Sequence, residues 1–208
     1  MAISNVGELK SELSAYLFHQ RLANRYDNCI TLFETAANSR LRVRQQEAQT
    51  NLTVNAGGNA NLPTDYLTWR AVKWDQGASH FVELDYVHPA YINTSYHSFN
   101  GRPNLFTIVG QVINVKPLQT TPTTIQLSYY QKIPTLADAV NQTTNWLLTE
   151  YPNAYLYGVL TELAAVQRNA DMAQLYKARR DETFAEITQL SALSTGATSP
   201  QVRTAEYF

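Results

Sequence analysis

A single cysteine, Cys29, stands in a chain of 208 residues, so no disulfide framework holds the fold. Charge is scarce as well: Asp, Glu, Lys and Arg make up 16% of the residues and sum to a formal −1. That balance excludes a global field drawing in nucleic acid or an anionic membrane. No apolar run approaches the roughly 18 residues of a spanning helix, so no membrane partner is expected. The first residues lack the basic and apolar regions of a signal peptide, and cytoplasmic synthesis is expected. The sequons at Asn51, Asn93 and Asn141 then read as chance matches.

Motifs of chemistry are missing too. His19, His80, His88 and His97 form no HExxH and no close pair, and Cys29 is remote from them in sequence. Asp85 and His88 have no serine in a GxSxG elbow to complete a triad. Gly57-Gly58 lacks the spacing of a phosphate loop or a dinucleotide fold. Glu83 and Asp85 fall on one face if their strand is regular, which would bring two carboxylates together. Solvated strand residues are the commoner reading of such a pair. No catalytic residue, metal or cofactor is expected. Thirteen tyrosines raise the idea of stacking on sugars or bases. They are spread over every segment and not interleaved with basic residues on one face.

What is present is a clear change of period along the chain. Residues 5–18 carry Val6, Leu9, Leu13, Tyr16 and Leu17 at helical spacing, and Asp27–Leu41 carries Ile30, Phe33, Ala37 and Leu41. Cys29 lies beside that stripe and reads as a small core residue. From Thr50 to Lys132 the period shortens to two. YLTWRAVKWD and HFVELDYV read as a hairpin, LFTIVGQVINVKPL as a second about Gly110, and TTIQLSYYQ as a last strand. In the first of these, regular alternation puts Trp69 and Trp74 on opposite faces. A short helical turn is expected at Pro89–Asn93. Residues 135–150 return to helix.

Pro152–Leu190 reads as two antiparallel helices. Pro152 suits a first helical position. Tyr155, Leu156, Val159, Leu160, Leu163 and Val166 make a wide stripe on the first helix. Met172, Leu175, Tyr176, Phe184, Ile187 and Leu190 make the stripe of the second, with Arg180 on the same face and Asp171 as the expected cap.

The expected architecture is therefore α+β: a helical bundle from 1–46 and 134–190, with an antiparallel β-sandwich or open barrel inserted at 47–133. Residues 191–208, polar and rich in Ser and Thr, form an extended arm. The densest basic run is Arg40, Arg42 and Arg44. It is either a contact to phosphate or partner carboxylates, or a solvated helix end that complements the dipole.

Six stretches recur in an order that resembles the head-to-tail adaptor (connector) proteins of tailed bacteriophages, most of all those of short-tailed phages. They are ELKSELSAYLF, ITLFETAANSRLRVRQQEAQTNLTV, NLPTDYLTWRAV, GRPNLFTIVGQVINVKP, IQLSYYQKIPTL and NWLLTEYPNAYLYGVLTELA, together covering about residues 6–190. Within them Pro63, Gly101, Arg102, Pro103, Pro152 and Gly158 mark turns, helix starts and close approaches. The resemblance implies a non-enzymatic virion protein at the head–tail junction: a homo-oligomeric ring, expected as a dodecamer, made in the host cytoplasm. It would bind the portal protein, carry a tail or nozzle protein, and prolong a channel through which double-stranded DNA passes without sequence-specific binding. The arm, with Arg203, Tyr207 and Phe208, would dock on the portal or a neighbour. The rival readings are a glycan- or peptide-binding module using Trp69 or Trp74 of the β region, and a hydrolase using Glu83, Asp85 or His88.

Overall fold

The computed structural model describes residues 3–17, 20–77, 80–92, 101–136 and 143–194. It divides into two compact units, residues 1–45 with 133–208, and residues 46–132. The architecture is α+β, with N- and C-terminal helices flanking an inserted, open antiparallel β region.

The first unit is helical. α1 (Val6–Leu17) starts at Asn5, whose side chain accepts the Glu8 N–H at 3.0 Å, while the Glu8 carboxylate accepts the Ser4 N–H at 2.7 Å. Both bonds satisfy donors that a helix start leaves open. α2 (Tyr26–Arg40) buries Tyr26, Cys29, Ile30, Phe33, Glu34 and Ala37, the three-and-four spacing of its apolar face. The expected helix over 135–150 shrinks to α3 (Trp146–Glu150), capped by Asn145, which accepts the Leu148 N–H at 2.9 Å. Residues 137–142 lie outside the described residues.

α4 (Pro152–Val166) has Pro152 in its first turn and is central: Tyr155, Val159, Leu160 and Leu163 have no exposure. Val166, placed on that stripe by spacing, is 48% exposed because it sits at the helix end. α5 (Ala170–Ser194) buries Tyr176, Arg180, Phe184 and Ile187. Its two ends run past the core, so Met172, Leu175 and Leu190 are exposed. The helix also carries through Ser194, so residues 191–194 are helical and not the start of an extended arm.

The α4–α5 corner closes by backbone geometry. Arg168 has φ of 59° and its N–H reaches the Ala165 carbonyl, while the Asn169 N–H reaches that of Ala164. This is the Schellman arrangement, with arginine where glycine is usual. The Asn169 side chain then accepts the Met172 N–H at 3.2 Å. Asn169, not Asp171, therefore caps α5; Asp171 lies inside its first turn.

Among the described residues the second unit contains eight strands in two four-stranded sheets. β1 (Glu47–Val54), β8 (Thr123–Gln131), β3 (Tyr66–Asp75) and β4 (Phe81–Glu83) lie in that order in one sheet. β2 (Asn59–Asn61), β7 (Val112–Lys116), β6 (Leu105–Val109) and β5 (Asp85–Tyr86) form the other. All neighbours are antiparallel except β5 and β6. Val54, Val72, Ile125, Leu127 and Tyr129 from the first sheet share a core with Ala60, Phe106, Ile113 and Val115 from the second.

HFVELDYV is not one strand. It leaves β4 at Leu84, which is 3% exposed and donates its N–H to the Val72 carbonyl, and Asp85, the first residue of β5, donates to the carbonyl of Asn104, just before β6 of the other sheet. The expected turn at Pro89–Asn93 is present up to Ile92, with the Tyr91 N–H on the His88 carbonyl; Asn93 lies outside the described residues. Gly58, at φ 79°, makes the turn after β1, where a Cβ would lie 2.8 Å from the Val115 carbonyl oxygen.

Candidate functional site

The arginine run spans the end of α2 at Arg40, an extended step through Arg42, and the first residue of a short 3-10 turn (Arg44–Gln46). Leu41 and Val43 are each 1% exposed, and Arg40, Arg42 and Arg44, which alternate with them, are exposed. Arg40 donates to Asp181 at 2.5 Å, and Arg180 donates to the same carboxyl oxygen at 3.0 and 2.9 Å. Both guanidinium carbons sit 5.9 Å from the Phe184 ring centre. Burial pushes the Asp181 carboxyl up, but the hydrogen bonds from Arg40 and Arg180 outweigh it and hold it below its ordinary value. Arg42 donates to the carbonyls of Asn38 and Leu41, the open end of α2. Arg44 donates its backbone N–H to Ser191 Oγ at 3.0 Å, and its guanidinium has no hydrogen bond among the described residues. Beside Arg40 a groove of about 520 Å³ is lined by Asp181, Phe184, Thr188 and Gln189.

Other positions singled out by sequence have local work. The Pro63 carbonyl accepts the Tyr66 N–H at 3.1 Å. The Gly101 carbonyl accepts from the Gln119 amide. Pro103 is buried ahead of β6. The Arg102 guanidinium lies over the Trp74 ring, 5.6 Å from its centre. Its Nη2 and Nε donate to the Gln76 side-chain oxygen at 2.6 and 2.8 Å once that amide is oriented to satisfy both groups. Gly158 lies against Phe33, where a Cβ would come 2.0 Å from Cδ2. Arg203, Tyr207 and Phe208 lie outside the described residues.

The positions behind the rival readings are drawn into the fold. Glu83 and Asp85 stand on strands of different sheets, so they do not form the same-face pair that a regular strand would give. His88 Nδ1 accepts the Ala90 N–H at 3.2 Å. Trp69 stacks on Tyr86 at 5.4 Å and meets the edge of Phe106 at 5.1 Å, and Trp74 Nε1 donates to Thr123 at 2.9 Å. Two irregularities in β3 change its faces: Trp69 pairs with Tyr129, Val72 with Leu127 and Trp74 with Ile125. Paired residues share a face, so an extra residue between Trp69 and Ala71 brings Trp69 and Trp74 to the same side.

Sequence reasoning missed one buried polar cluster. Glu34, 4% exposed, accepts from Thr135 Oγ1 at 2.6 Å, the Leu136 N–H at 2.7 Å and Tyr155 Oη at 3.1 Å. Asn145 donates to Tyr155 Oη at 2.6 Å and to the Pro134 carbonyl at 2.7 Å. Burial raises the Glu34 carboxyl, with the three donors pulling the other way. Burial, followed by the Glu34 charge, drives the Tyr155 phenol far up. The available signal was the position of Glu34, four residues from Ile30 on the apolar face of α2. The cluster ties residues 134–136 and α3 to α2 and α4, a positioning role for segments that meet late in the chain.

Among the described residues no group of three or more His, Cys, Asp or Glu could hold a metal, and no helix is long and apolar enough to cross a membrane. Cys29 is buried, which pushes its thiol up and away from reactivity. The ion pairs and buried polar groups described above bind one part of a unit to another.

The model of the family described as SU10 adaptor protein matches residues 4–204. The chain belongs to this family of bacteriophage head-to-tail adaptors, and its role is structural and non-enzymatic, connecting capsid and tail in the phage virion. This identity is consistent with a place at the head–tail junction in an oligomeric ring that meets portal and tail components. No curated protein matches the chain.

Proposed function

We propose that the chain assembles into a closed ring of twelve copies beneath the portal, prolongs the channel, and presents its far side to a tail or nozzle protein. Membership of the adaptor family over nearly the whole chain carries this reading. Synthesis in the host cytoplasm precedes assembly. The near-neutral balance of −1 suits a channel wall, because a strongly basic lumen would retain DNA by phosphate contacts. Double-stranded DNA passes without sequence-specific binding. Arg203, Tyr207 and Phe208 form the docking end of the arm, two aromatics and a cation of the kind that anchors interfaces. The domain division is functional: residues 1–46 and 134–190 make the ring frame, and 47–133 is the inserted β domain.

The arginines divide in this reading. Arg40 and Arg42 are occupied within the helical unit, which leaves Arg44 as the side chain of the three available to a partner or to DNA. Arg44→Glu therefore weakens portal binding or DNA retention while thermal stability stays within about 0.5 kcal/mol of the parent. Portal binding and DNA retention unchanged in that variant would return the run to a solvated helix end. The ring itself is tested by electron microscopy of intact particles: twelve copies coaxial with the channel are expected. A purified chain that stays monomeric and unbound with portal present would overturn it.

A further inference from the structure

Among the described residues the β unit has four outer strands, and three of them are blunt. β2 and β4 have three residues each and β5 has two. Short edge strands are one way proteins prevent unwanted pairing. β1 is an eight-residue strand, paired without interruption to β8 and on its other side to no described strand. It carries no proline, no lysine or arginine and no bulge, the devices that otherwise protect a long edge. Gln49, Asn51 and Thr53 are exposed on one face, whereas Ala48, Leu52 and Val54 pack with the β core on the other. The same chain carries a segment that fits this edge. Residues 201–208, QVRTAEYF, equal β1 in length and follow the last glycine and proline of the sequence, Gly196 and Pro200. Val202, Thr204, Tyr207 and Phe208 are residue types that favour strands.

We propose that residues 201–208 of one copy add to the free edge of β1 in the next copy of this chain. Every neighbouring pair in the β1–β8–β3–β4 sheet is antiparallel, and the added strand continues that direction. With Phe208 opposite Ala48, Thr204 falls opposite Leu52 and Val202 opposite Val54, which extends the core-facing row and sets the largest side chain against the smallest. Glu206 falls opposite the Thr50 hydroxyl. On the solvent face Tyr207 meets Gln49, Ala205 meets Asn51 and Arg203 meets Thr53. No like charges face each other, because Glu47, the one charged residue of β1, is paired with Arg70 and lies beyond Phe208 in this register. Main-chain hydrogen bonds supply affinity and alternate side chains supply register.

The donor is a neighbouring copy, an assignment that rests on the ring reading above. A copy that gives its arm to one neighbour and receives another's on β1 makes a heterologous contact, and repetition of that contact closes a ring. Pairing of β1 with β1 of another copy would be isologous and would close at two. An arm laid on its own β1 would join no copies.

Disulfide trapping tests the site, because Cys29, the one native cysteine, is buried. Particles are assembled from a mixture of Asn51→Cys copies and Ala205→Cys copies and then oxidised. A covalent dimer is expected, at least about 10-fold more abundant than when Thr195→Cys replaces Ala205→Cys, since a disulfide forms only between closely opposed residues. A chain carrying both Asn51→Cys and Ala205→Cys gives a ladder of linked copies. If that double variant instead closes its disulfide within one chain, the arm lies on its own β1 and the exchange between copies is overturned. Hydrogen exchange on the unaltered chain gives a second reading that needs no variant. The amides of Glu47–Val54 that do not bond to β8 exchange rapidly in the purified chain and slow by at least about 100-fold in the particle. Protection without the dimer means that another protein covers β1, and the arm is not its occupant. A ring in place at the junction, with no dimer and with β1 amides as fast as in the free chain, overturns the proposal and leaves the ring standing. Particles with no copy at the junction overturn the ring and the proposal together.

Discussion

Gly158 and Glu34 are the two positions where one atom decides the helical unit. A methyl at Gly158 would enter the Phe33 ring, which is 1% exposed and held edge-on to Tyr155 at 4.8 Å and near Phe184 at 6.1 Å. Alanine gains about 1 kcal/mol of helix propensity, but overpacking a closed core costs about 1–3 kcal/mol. Gly158→Ala is therefore destabilising by denaturant unfolding, and Phe33→Leu in the same chain recovers part of the loss, a coupling read from a double-mutant cycle. Glu34→Ala strands the buried Leu136 N–H and costs about 1–3 kcal/mol. The raised Glu34 carboxyl also has a sign. The unfolded chain ionises first, so this group's contribution is full below the ordinary carboxylate range and is lost as pH rises through the folded value. Glu34→Gln removes that slope, and the parent should lose stability relative to it as pH increases from about 4. Tyr129 behaves likewise at the alkaline end. Burial, and then the bond to Asp65, push its phenol to about 12, so the β unit loses stability between the ordinary tyrosine value of 10 and that pH. Tyr129→Phe flattens the loss in a pH-dependent thermal scan. Gly158 was legible in the sequence as a place of close approach, but its contact with Phe33 joins residues 125 positions apart.

At the scale of elements, the α4–α5 corner offers the cleanest test. Arg168 occupies a left-handed position that glycine adopts without strain. Arg168→Gly should raise stability by about 0.5–1 kcal/mol, measured by thermal or denaturant unfolding, with no change in assembly. Asn169→Ala should lower it by about 0.5–2 kcal/mol, because that side chain caps α5. The same corner shows where reading from sequence succeeds and stops. The two helices follow from their apolar spacing, yet QRNAD does not reveal which polar residue takes the cap. Asn169 and Asp171 both suit a cap, and backbone direction chose Asn169. Strand β3 makes the point more sharply. A regular alternation splits Trp69 from Trp74, and a single inserted residue between Trp69 and Ala71 reunites them. An added residue inverts every face beyond it, and nothing in YLTWRAVKWD marks where it falls.

For the molecule as a whole, the arm and the body separate. α5 continues through Ser194, and Ser191 Oγ accepts the Arg44 N–H, so removal from residue 191 cuts into the helical unit. Truncation after Ser194 should leave Tm and helix content near the parental values while weakening ring assembly or portal attachment, measured by sedimentation and by pull-down with portal. Equal loss of monomer stability would show that the residues beyond 194 belong to the fold instead.

Sequence by itself determined the helix–strand–helix order, the central turns of the helical faces and the family, because apolar spacing and motif order are local and linear quantities; the face residues at the helix ends, Val166, Met172, Leu175 and Leu190, are exposed. Tertiary structure decided how Arg40 meets Asp181, how Glu34 gathers donors from residues 135, 136 and 155, and where HFVELDYV crosses between sheets. Each of these depends on groups far apart in the chain, whose pairing is set by packing and by the cost of leaving buried polar atoms unsatisfied, and neither is written in any one stretch.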